Sequence, residues 1–395
     1  MSQVVAAPDL TGVHANRAWG AELGVGATAL WIANVRAAEE TEAVPCISDP
    51  YAKRFLFDGL SQRIEMELAE SLAHYYFMNP QRNGLGKELK KYFIFNKTLG
   101  PYYVKKHRHI PNDPSRLESA FYLQRAGMRK RFVFFDSEIN KIVASGCEQV
   151  VTLAVGFDCR CLRLPCLQAP KITHFILDQP DMIGHLLDKC PEIHDREGKG
   201  KIVPVTCKFG EQKWWDELKA KGFDTSKRTV FITEGLTMYL EEAEVQDLYE
   251  QIYKLSVPGC WVLGDYITKG MLEHAMMAPY MEALRRWKAP WTFGERRIGD
   301  WNRRMRNIGF QVMSNEALIT NGSNFQVWLS NALGYIPGYF CFRLVTPRNM
   351  PKRENWKTYQ GTDGTKTIDK SIKWDAYGEL NEGGTSRGKD AGHKS

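Results

Sequence analysis

The pattern of apolar and polar positions changes character at residue 149. Residues 149–155 form an apolar, β-branched run that is typical of a strand buried on both faces, and Gly156 ends it. Further apolar runs follow at intervals filled by helix-forming sequence. This alternation predicts an α/β, doubly wound fold, with a parallel sheet and helices on both faces. The predicted strands lie near residues 149–155, 173–178, 201–206, 229–233 and 260–266.

Upstream of residue 149, apolar residues recur mainly at helical spacing, which predicts helices in front of the sheet. Residues 309–313 and 338–345 are predicted to be a closing pair of strands. The predicted segments are a flexible N-terminus at 1–13, a helical cap or lid at 14–140, a core at 141–347 with a substrate-pocket insertion at about 270–305, and a disordered tail at 348–395.

Composition narrows the class of protein. The chain has 395 residues, 43% of them hydrophobic, and a formal charge of +7 that is spread along the sequence. This spread argues against a nucleic-acid surface, and the lack of a long apolar run argues against a membrane span. Nine scattered cysteines without a C-x-x-C pair favour free thiols in the cytoplasm over disulfides or a metal site.

The glycine turn after residue 155 is the first candidate for chemistry. Asp158 and Arg160 follow Gly156 at the carboxyl edge of the predicted sheet, where open α/β folds bind ligands. Asp178 ends the next apolar run about twenty residues later, the spacing of an acid that binds ribose hydroxyls. A G-x-G-x-x-G pattern is missing, which argues against a nicotinamide-dependent oxidoreductase. The sequence therefore predicts a site for a different nucleoside cofactor.

Three ordered motifs carry a specific resemblance. They are Leu153-Ala-Val-Gly-Phe-Asp-Cys-Arg160 with Arg163-Leu164, Phe175-Ile-Leu-Asp-Gln-Pro180, and Glu234-Gly-Leu-Thr-Met-Tyr-Leu240. With these motifs the chain resembles the leucine carboxyl methyltransferase-like family of class I S-adenosylmethionine (SAM) methyltransferases, in its polyketide O-methyltransferase-like branch. The likeness runs from about residue 15 to about residue 345.

The resemblance implies a Rossmann-like, seven-stranded, mostly parallel sheet that binds SAM and releases S-adenosylhomocysteine (SAH). Gly156 would let the backbone approach the methionyl part, and Asp178 would bind the ribose. An arginine before the first strand, Arg131 or Arg129, would pair with the methionine carboxylate. The cofactor-binding residues implied are Arg129, Arg131, Ala154, Gly156, Asp158, Arg160, Asp178, Gln179, Thr206 and Glu234.

Two positions depart from the family pattern. Ala154 replaces the first glycine of the motif and adds a methyl group where the backbone comes closest to the cofactor. After the third strand, Thr206 and Cys207 replace the acidic residue that reaches the adenine amino group in the family. We expect the site to tolerate Ala154 with an altered loop geometry or affinity, and Thr206 to be the available hydrogen-bonding group.

The resemblance implies a SAM-dependent O-methyltransferase that acts on a carboxylate or hydroxyl of a small aromatic or polyketide-like metabolite. Aromatic residues in the predicted cap are in line with an apolar acceptor pocket. Tyr102, Tyr103 and Tyr239 are the candidate pocket residues, and residues 14–110 are the candidate lid. No residue is nominated as a catalytic base. Two alternatives stay open: a protein C-terminal carboxyl methyltransferase, and a catalytically inactive binding module with this fold.

Overall fold

A seven-stranded sheet organises the protein in a computed structural model. The strands are β1 Gln149–Leu153, β2 Thr173–Asp178, β3 Lys201–Thr206, β4 Thr229–Thr233, β5 Trp261–Ile267, β6 Gln311–Ala317 and β7 Tyr339–Val345. Their order across the sheet is β3-β2-β1-β4-β5-β7-β6. The neighbouring pairs are parallel except that β7 runs antiparallel to both β5 and β6. The predicted doubly wound, mostly parallel α/β sheet is confirmed.

The structure describes residues 24–42, 44–56, 59–78, 114–194, 196–209, 213–274, 277–318 and 338–348. All of them belong to one unit of the chain, which ends at Met350. The predicted N-terminal segment 1–13, the segment that carries Tyr102 and Tyr103, and the predicted tail beyond residue 348 lie outside the described residues. What the sequence predicts for these segments stays a prediction.

The two central strands are buried along their whole length, as their apolar sequences predict. β1 pairs with β2 on one side and with β4 on the other, and Val151 lies opposite both Phe175 and Phe231. Strands buried on both faces need apolar side chains in both directions. Because β1, β2 and β4 are parallel, their carboxyl ends meet at one edge of the sheet, where Asp178 and Glu234 lie.

Helices fill the connections and precede the sheet. Those among the described residues are α1 Gly24–Glu39, α2 Leu60–Met78, α3 Pro114–Ala144, α4 Arg160–Arg163, α5 Pro180–Lys189, α6 Trp214–Ala220, α7 Glu242–Leu255, α8 Lys269–Glu273, α9 Ala278–Arg286 and α10 Ile298–Ile308. Between α1 and α2, Ala52–Phe55 form a short 3₁₀ turn. Within the described ranges, no helix combines the length and the apolar character that a membrane crossing requires.

The region between β5 and β6 is more helical than its sequence pattern indicates. The segment predicted as an insertion at about 270–305 contains α9 and most of α8 and α10. Ile298, Trp301 and Met305 are buried at helical spacing, and Trp301 stacks on Tyr266 of β5 with ring centroids 4.5 Å apart. The polar and arginine-rich residues between these three masked the helical period.

Long-range hydrogen bonds join the N-terminal helices α1 and α2 to the segments that follow β4 and β5. Glu67 of α2 accepts hydrogen bonds from Arg286 Nε at 2.7 Å and from Trp287 Nε1 at 2.8 Å. The Tyr239 hydroxyl, just past β4, donates to Thr28 Oγ1 of α1 at 2.9 Å. The described helices of the predicted cap are therefore fastened to the segments that follow the parallel strands.

The contact between β5 and β7 depends on Gly264. A side-chain carbon added there would lie 2.2 Å from Thr233 Oγ1 and 2.4 Å from the Phe342 ring. We predict that Gly264→Ala lowers the free energy of unfolding by about 1–3 kcal/mol, the usual cost of overpacking, in chemical denaturation followed by circular dichroism. The control is Gly299→Ala in α10, where no atom other than those of its chain neighbours and its own helix backbone lies within 4 Å of the added carbon. Equal destabilisation by the two substitutions would contradict the packing argument.

Candidate cofactor and acceptor site

A cavity of about 560 Å³ opens at the carboxyl ends of β1, β2 and β4. Residues from α1, α3 and the chain after β5 complete its walls. Eight residues predicted from the sequence line this one cavity: Arg131, Ala154, Gly156, Asp158, Asp178, Gln179, Glu234 and Tyr239. The motifs that are separate in the sequence thus converge on a single space.

Asp178 is the acid at the end of β2. Its Oδ2 accepts a hydrogen bond from the Gly156 amide and its Oδ1 accepts one from the Gln179 amide, both at 2.7 Å. Burial raises the pKa of Asp178 to about 6, although both amide contacts favour the charged form. The two amides fix the carboxylate beside the glycine turn, where it can accept further hydrogen bonds from a ligand.

The turn after β1 uses left-handed backbone conformations. Gly156 has a φ of 54° and Ala154 a φ of 57°. Glycine adopts this region freely, whereas an alanine in it has its Cβ close to the following carbonyl oxygen. The alanine that departs from the family motif therefore occupies a conformation that suits glycine, and the cost is local backbone strain.

Arg131 of α3 is a positive centre in the cavity wall. Its Nε lies 2.7 Å from Glu234 Oε1 and 3.1 Å from Asp265 Oδ2, and its Nη1 donates to the Tyr339 hydroxyl at 2.8 Å. That hydroxyl in turn donates to Asp265 Oδ2 at 2.8 Å. Burial raises the pKa of Asp265, and the charge of Arg131 opposes this effect. One arginine thus ties α3 to β5, to β7 and to the end of β4.

Arg160 lies behind the cavity wall and is not one of its lining residues. Its Nη1 contacts Glu234 Oε2 and, at 2.8 Å, Asp158 Oδ2, while its Nε donates to Asp136 Oδ1 at 2.6 Å. Glu234 and Asp158 both line the cavity, and a buried carboxylate is costly unless it is paired. Arg160, predicted to contact the cofactor, is therefore placed to hold two of the cavity acids in position.

Further ion pairs connect Asp136 to Arg36 of α1. Arg163 holds Asp136 through two nitrogens at 2.6 and 2.9 Å. Arg36 Nε lies 3.0 Å from Asp49 Oδ2, and its Nη2 donates to the Phe157 carbonyl at 2.5 Å. Arg163 Nε lies 3.7 Å from the same Asp49 oxygen. We refer to the connected residues as the buried ion network: Arg36, Asp49, Arg131, Asp136, Asp158, Arg160, Arg163, Glu234 and Asp265.

Two other predicted residues lie away from the cavity. Arg129 pairs with Glu39 of α1, with Nε 3.3 Å from Oε1, so Arg131 is the one of the two candidate arginines on the wall. Thr206 is exposed at the end of β3 and does not line the cavity. Phe209, three residues further on, lines it instead. Beyond β3, the structure thus offers an aromatic ring where the sequence predicted a hydrogen-bonding group.

A second group of lining residues is aromatic and rich in sulfur. Its members are Trp31, Met128, Met238, Tyr239, Met271, Tyr280, Trp291 and Tyr339. Burial raises the pKa of Tyr239, whose hydroxyl is held by Thr28 at 2.9 Å. This hydroxyl stays protonated at neutral pH and is therefore a hydrogen-bonding group, not a base.

Three further residues belong to the site although no sequence motif contains them. Asp265 is fully buried inside the apolar strand β5, and an acid in such a run requires a partner, which is the signal that points to it. Tyr339 carries no comparable signal because its role depends on β7 lying beside β5. Gln124 lines the cavity from the same face of α3 as Met128 and Arg131.

The chemistry of the cavity suits an organic cofactor with a charged amino-acid part. It combines a strand-end acid, a glycine-type turn and a buried arginine, and these groups match a ribose and a methionyl carboxylate. Over the described residues, no three potential metal ligands among His, Cys, Asp and Glu are grouped so as to hold an ion. All nine cysteines are free thiols.

Comparison with known proteins decides the family. A model of the family described as leucine carboxyl methyltransferase matches residues 29–253, which include most of α1, strands β1 to β4 and Glu234. The chain belongs to the leucine carboxyl methyltransferase family. It is a SAM-dependent methyltransferase with the class I fold, as the sequence motifs predict.

Relatives of this methyltransferase are found among mycobacterial proteins. One from Mycobacterium avium (strain 104), named for S-adenosyl-L-methionine-dependent methyltransferase activity, is 30% identical over 275 residues, which cover 69% of this chain and 75% of the relative. One with the same name from Mycobacterium tuberculosis (strain ATCC 25177 / H37Ra) is 29% identical with the same coverage. The chain is also similar to a solved DUF574 family protein of Streptomyces avermitilis, with 10% identity, a TM-score of 0.43, and coverage of 64% of this chain and 100% of that one.

Strain at Ala154 leads to a stability prediction. Ala154→Gly should raise the free energy of unfolding of the methyltransferase by about 0.5–1 kcal/mol, because the relief of left-handed strain exceeds the greater chain entropy of glycine. Chemical denaturation measures the change. Ala33→Gly, in the middle of α1, is the matched control and should destabilise by about 1 kcal/mol or more. A loss of stability in Ala154→Gly would show that the turn is not strained.

The raised pKa of Asp178 leads to a pH prediction. If Asp178 binds the ribose, SAH binding should weaken as the pH falls through about 6, because the charged carboxylate is a stronger hydrogen-bond acceptor than the neutral acid. Below this pH we expect a loss of affinity of up to about tenfold per pH unit, measured by isothermal titration calorimetry.

Asp178→Asn is the control for this pH dependence. The variant should bind SAH more weakly at neutral pH and should lack the slope, since its amide does not titrate. In the ligand-free wild type, the free energy of unfolding should fall as the pH rises from about 4 to about 6, because Asp178 ionises more readily in the unfolded chain than in the fold. Asp178→Asn should lack this pH-dependent loss of stability. An identical pH slope of SAH affinity in both proteins would rule out Asp178 as its source.

Proposed function

We propose that this methyltransferase transfers the methyl group of SAM to a hydroxyl or carboxylate oxygen of a small aromatic or polyketide-like molecule. The observation that carries the proposal is the aromatic and sulfur-rich group of lining residues, which shares one cavity with the strand-end acids. Sites for small molecules are mostly apolar and contain a few polar groups that fix orientation. The part of the cavity lined by the aromatic and sulfur-rich residues has that composition.

We assign SAM to the strand-end part of the cavity. Asp178 would accept hydrogen bonds from the ribose, and the turn at Gly156 would admit the methionyl backbone. Arg131 makes its hydrogen bonds within the described residues through Nε and Nη1, which leaves Nη2 for the methionyl carboxylate. Asp158 and Glu234 supply negative charge that favours the ammonium and sulfonium groups of SAM.

The chain's contribution to the reaction is positioning. When bound, SAM supplies a methyl group on a positively charged sulfur, which is already a strong electrophile. Residues of the cavity therefore need chiefly to hold the acceptor oxygen in line and to exclude water. Tyr239 is suited to orient the acceptor because its hydroxyl is fixed by Thr28 and stays protonated.

A protein C-terminal carboxylate is the competing acceptor. Binding an anionic chain end calls for a cation that is not already engaged. Of the arginines that line the cavity, Arg36 is paired with Asp49, and the remaining nitrogen of Arg131 is assigned to the cofactor. Lys288 is an exposed lining cation that a peptide end could meet, but the lining acids Asp158, Asp178 and Glu234 would repel a further carboxylate. This distribution of charge favours a small, weakly charged acceptor over a peptide end.

The test is a methyl-transfer assay with SAM labelled on the methyl group and three acceptor classes: naphthols, aromatic acids, and peptides that end in leucine. We expect a labelled methyl ether or methyl ester of a small aromatic compound together with SAH. Label found only on the peptides would favour the competing acceptor. SAH binding without transfer to any class would favour the inactive binding module.

Tyr239→Phe tests the acceptor half of the site. The variant should lower the turnover of the accepted compound about three- to tenfold through the loss of one hydrogen bond, while the affinity for SAH stays within twofold. Tyr249→Phe is the matched control, since the Tyr249 hydroxyl also bonds a threonine, Thr233, at 2.9 Å but does not line the cavity. Equal effects on turnover would argue against an acceptor role for Tyr239.

A further inference from the structure

Several side chains on the cavity wall carry buried polar atoms without a hydrogen-bond partner, and two of them, Gln124 and Trp31, are uncharged and almost fully buried. Gln124 and Trp31 are 3% and 5% exposed. Among the described residues, neither Oε1 nor Nε2 of Gln124, nor Nε1 of Trp31, has a hydrogen-bond partner. Leaving such groups unpaired lowers stability, so each one calls for an explanation. Both residues line the cavity, and a ligand there would supply the missing partners.

Their positions along the helices assign them to the acceptor part of the cavity. Gln124, Met128 and Arg131 share one face of α3, and Gln124 lies about 10 Å along the helix axis from Arg131, the proposed cofactor anchor. Trp31 follows Thr28, which holds Tyr239, by about one turn of α1. The unpaired groups therefore lie near acceptor residues and away from the cofactor anchor.

The chemistry of these groups selects the ligand. The Gln124 amide presents a donor beside an acceptor, and the Trp31 indole adds one donor. Two adjacent oxygens on a ring, at least one of them a hydroxyl, satisfy both sides of the amide. A carboxylate has no hydrogen to give to Gln124 Oε1. It would also enter a cavity whose walls already hold Asp158, Asp178 and Glu234.

We propose that Gln124 and Trp31 form an acceptor-orienting subsite for a neutral aromatic molecule with two adjacent oxygens, at least one of which is a hydroxyl. This inference rests on the proposed function and narrows its acceptor class. One hydroxyl donates to Gln124 Oε1, and the adjacent oxygen accepts from Gln124 Nε2 and from Trp31 Nε1. The subsite fixes the ring orientation and so selects the oxygen that faces the cofactor.

The first test measures binding, without turnover, on protein saturated with SAH. The probes are 2,3-dihydroxynaphthalene, 2-naphthol and 3-hydroxy-2-naphthoate, titrated by calorimetry. Wild type should bind the diol at least about fivefold more tightly than the naphthol and more tightly than the acid. Gln124→Leu should bind diol and naphthol within twofold of each other, and its affinity for SAH should match that of wild type within twofold.

The second test uses the ligand-free protein. Gln124→Leu removes an unpaired buried amide at similar size, so the melting temperature should rise by a few degrees. Gln251→Leu is the matched control because Gln251 Nε2 donates to Asp247 at 2.7 Å, and neither the melting temperature nor the preference for the diol should rise. Trp31→Phe should weaken diol binding severalfold. Trp301→Phe, which removes another buried, unpaired indole N–H outside the cavity, should not.

The outcomes separate this inference from the function on which it rests. Failure of wild type to bind SAH would overturn the proposed cofactor site and the subsite with it. SAH binding without a preference for the diol would overturn the subsite alone. A preference that survives in Gln124→Leu, or tighter binding of the naphthoate than of the diol, would overturn it as well.

Discussion

The burial of charge is the constraint on which this site depends. The buried ion network contains four arginines and five carboxylates. Charges inside a protein are tolerated only when they are paired with good geometry, and the loss of one partner typically costs about 3–5 kcal/mol. Every member therefore fixes the position of its neighbours. Through these pairs, α1, α3, the turn after β1, β4 and β5 are held in one arrangement.

The network explains how the protein can keep several acids at the edge of one cavity. Glu234 is shared by two arginines, Arg131 from the cavity side and Arg160 from behind. Burial alone would favour the neutral form of Asp158, but the charge of Arg160 lowers the pKa of this acid and keeps it ionised. Such ion pairs add little net stability compared with an apolar core of equal volume. What they specify is the geometry of the cavity, and the apolar sheet beneath supplies the stability.

The sequence predicts those parts of the structure that local pattern determines. Parallel strands buried on both faces are continuous apolar runs, so β1 to β5 and the acids at their ends are predictable. The choice between Arg129 and Arg131 is not, because residues two apart on a helix face nearly opposite directions and the pattern does not say which face meets the cavity. The pairing of Asp265 with Tyr339 depends on β7 entering between β5 and β6, which no local signal encodes.

The same reasoning applies to α10 and to Gln124. The face of α10 is defined by three apolar residues among arginines and asparagines, and only its packing against β5 makes the helix evident. Gln124 is one polar residue on a long helix, and in sequence it is indistinguishable from a surface glutamine. Its burial without a partner is a tertiary property.

The long-range contacts around the cavity have a consequence for biosynthesis. Thr28 binds Tyr239, Glu67 binds Trp287 and Arg131 binds Tyr339, and in each pair more than 200 positions separate the two residues along the chain. A ribosome adds about 5–20 residues per second, so α2 waits roughly 10–40 s for the segment that fastens it. In this interval α2 can pack on α1 and α3, but the part of its surface that meets α9 stays uncovered. The cavity can be completed only after translation has passed Tyr339 of β7, so a nascent chain that stops earlier can hold the sheet's central strands without an enclosed site.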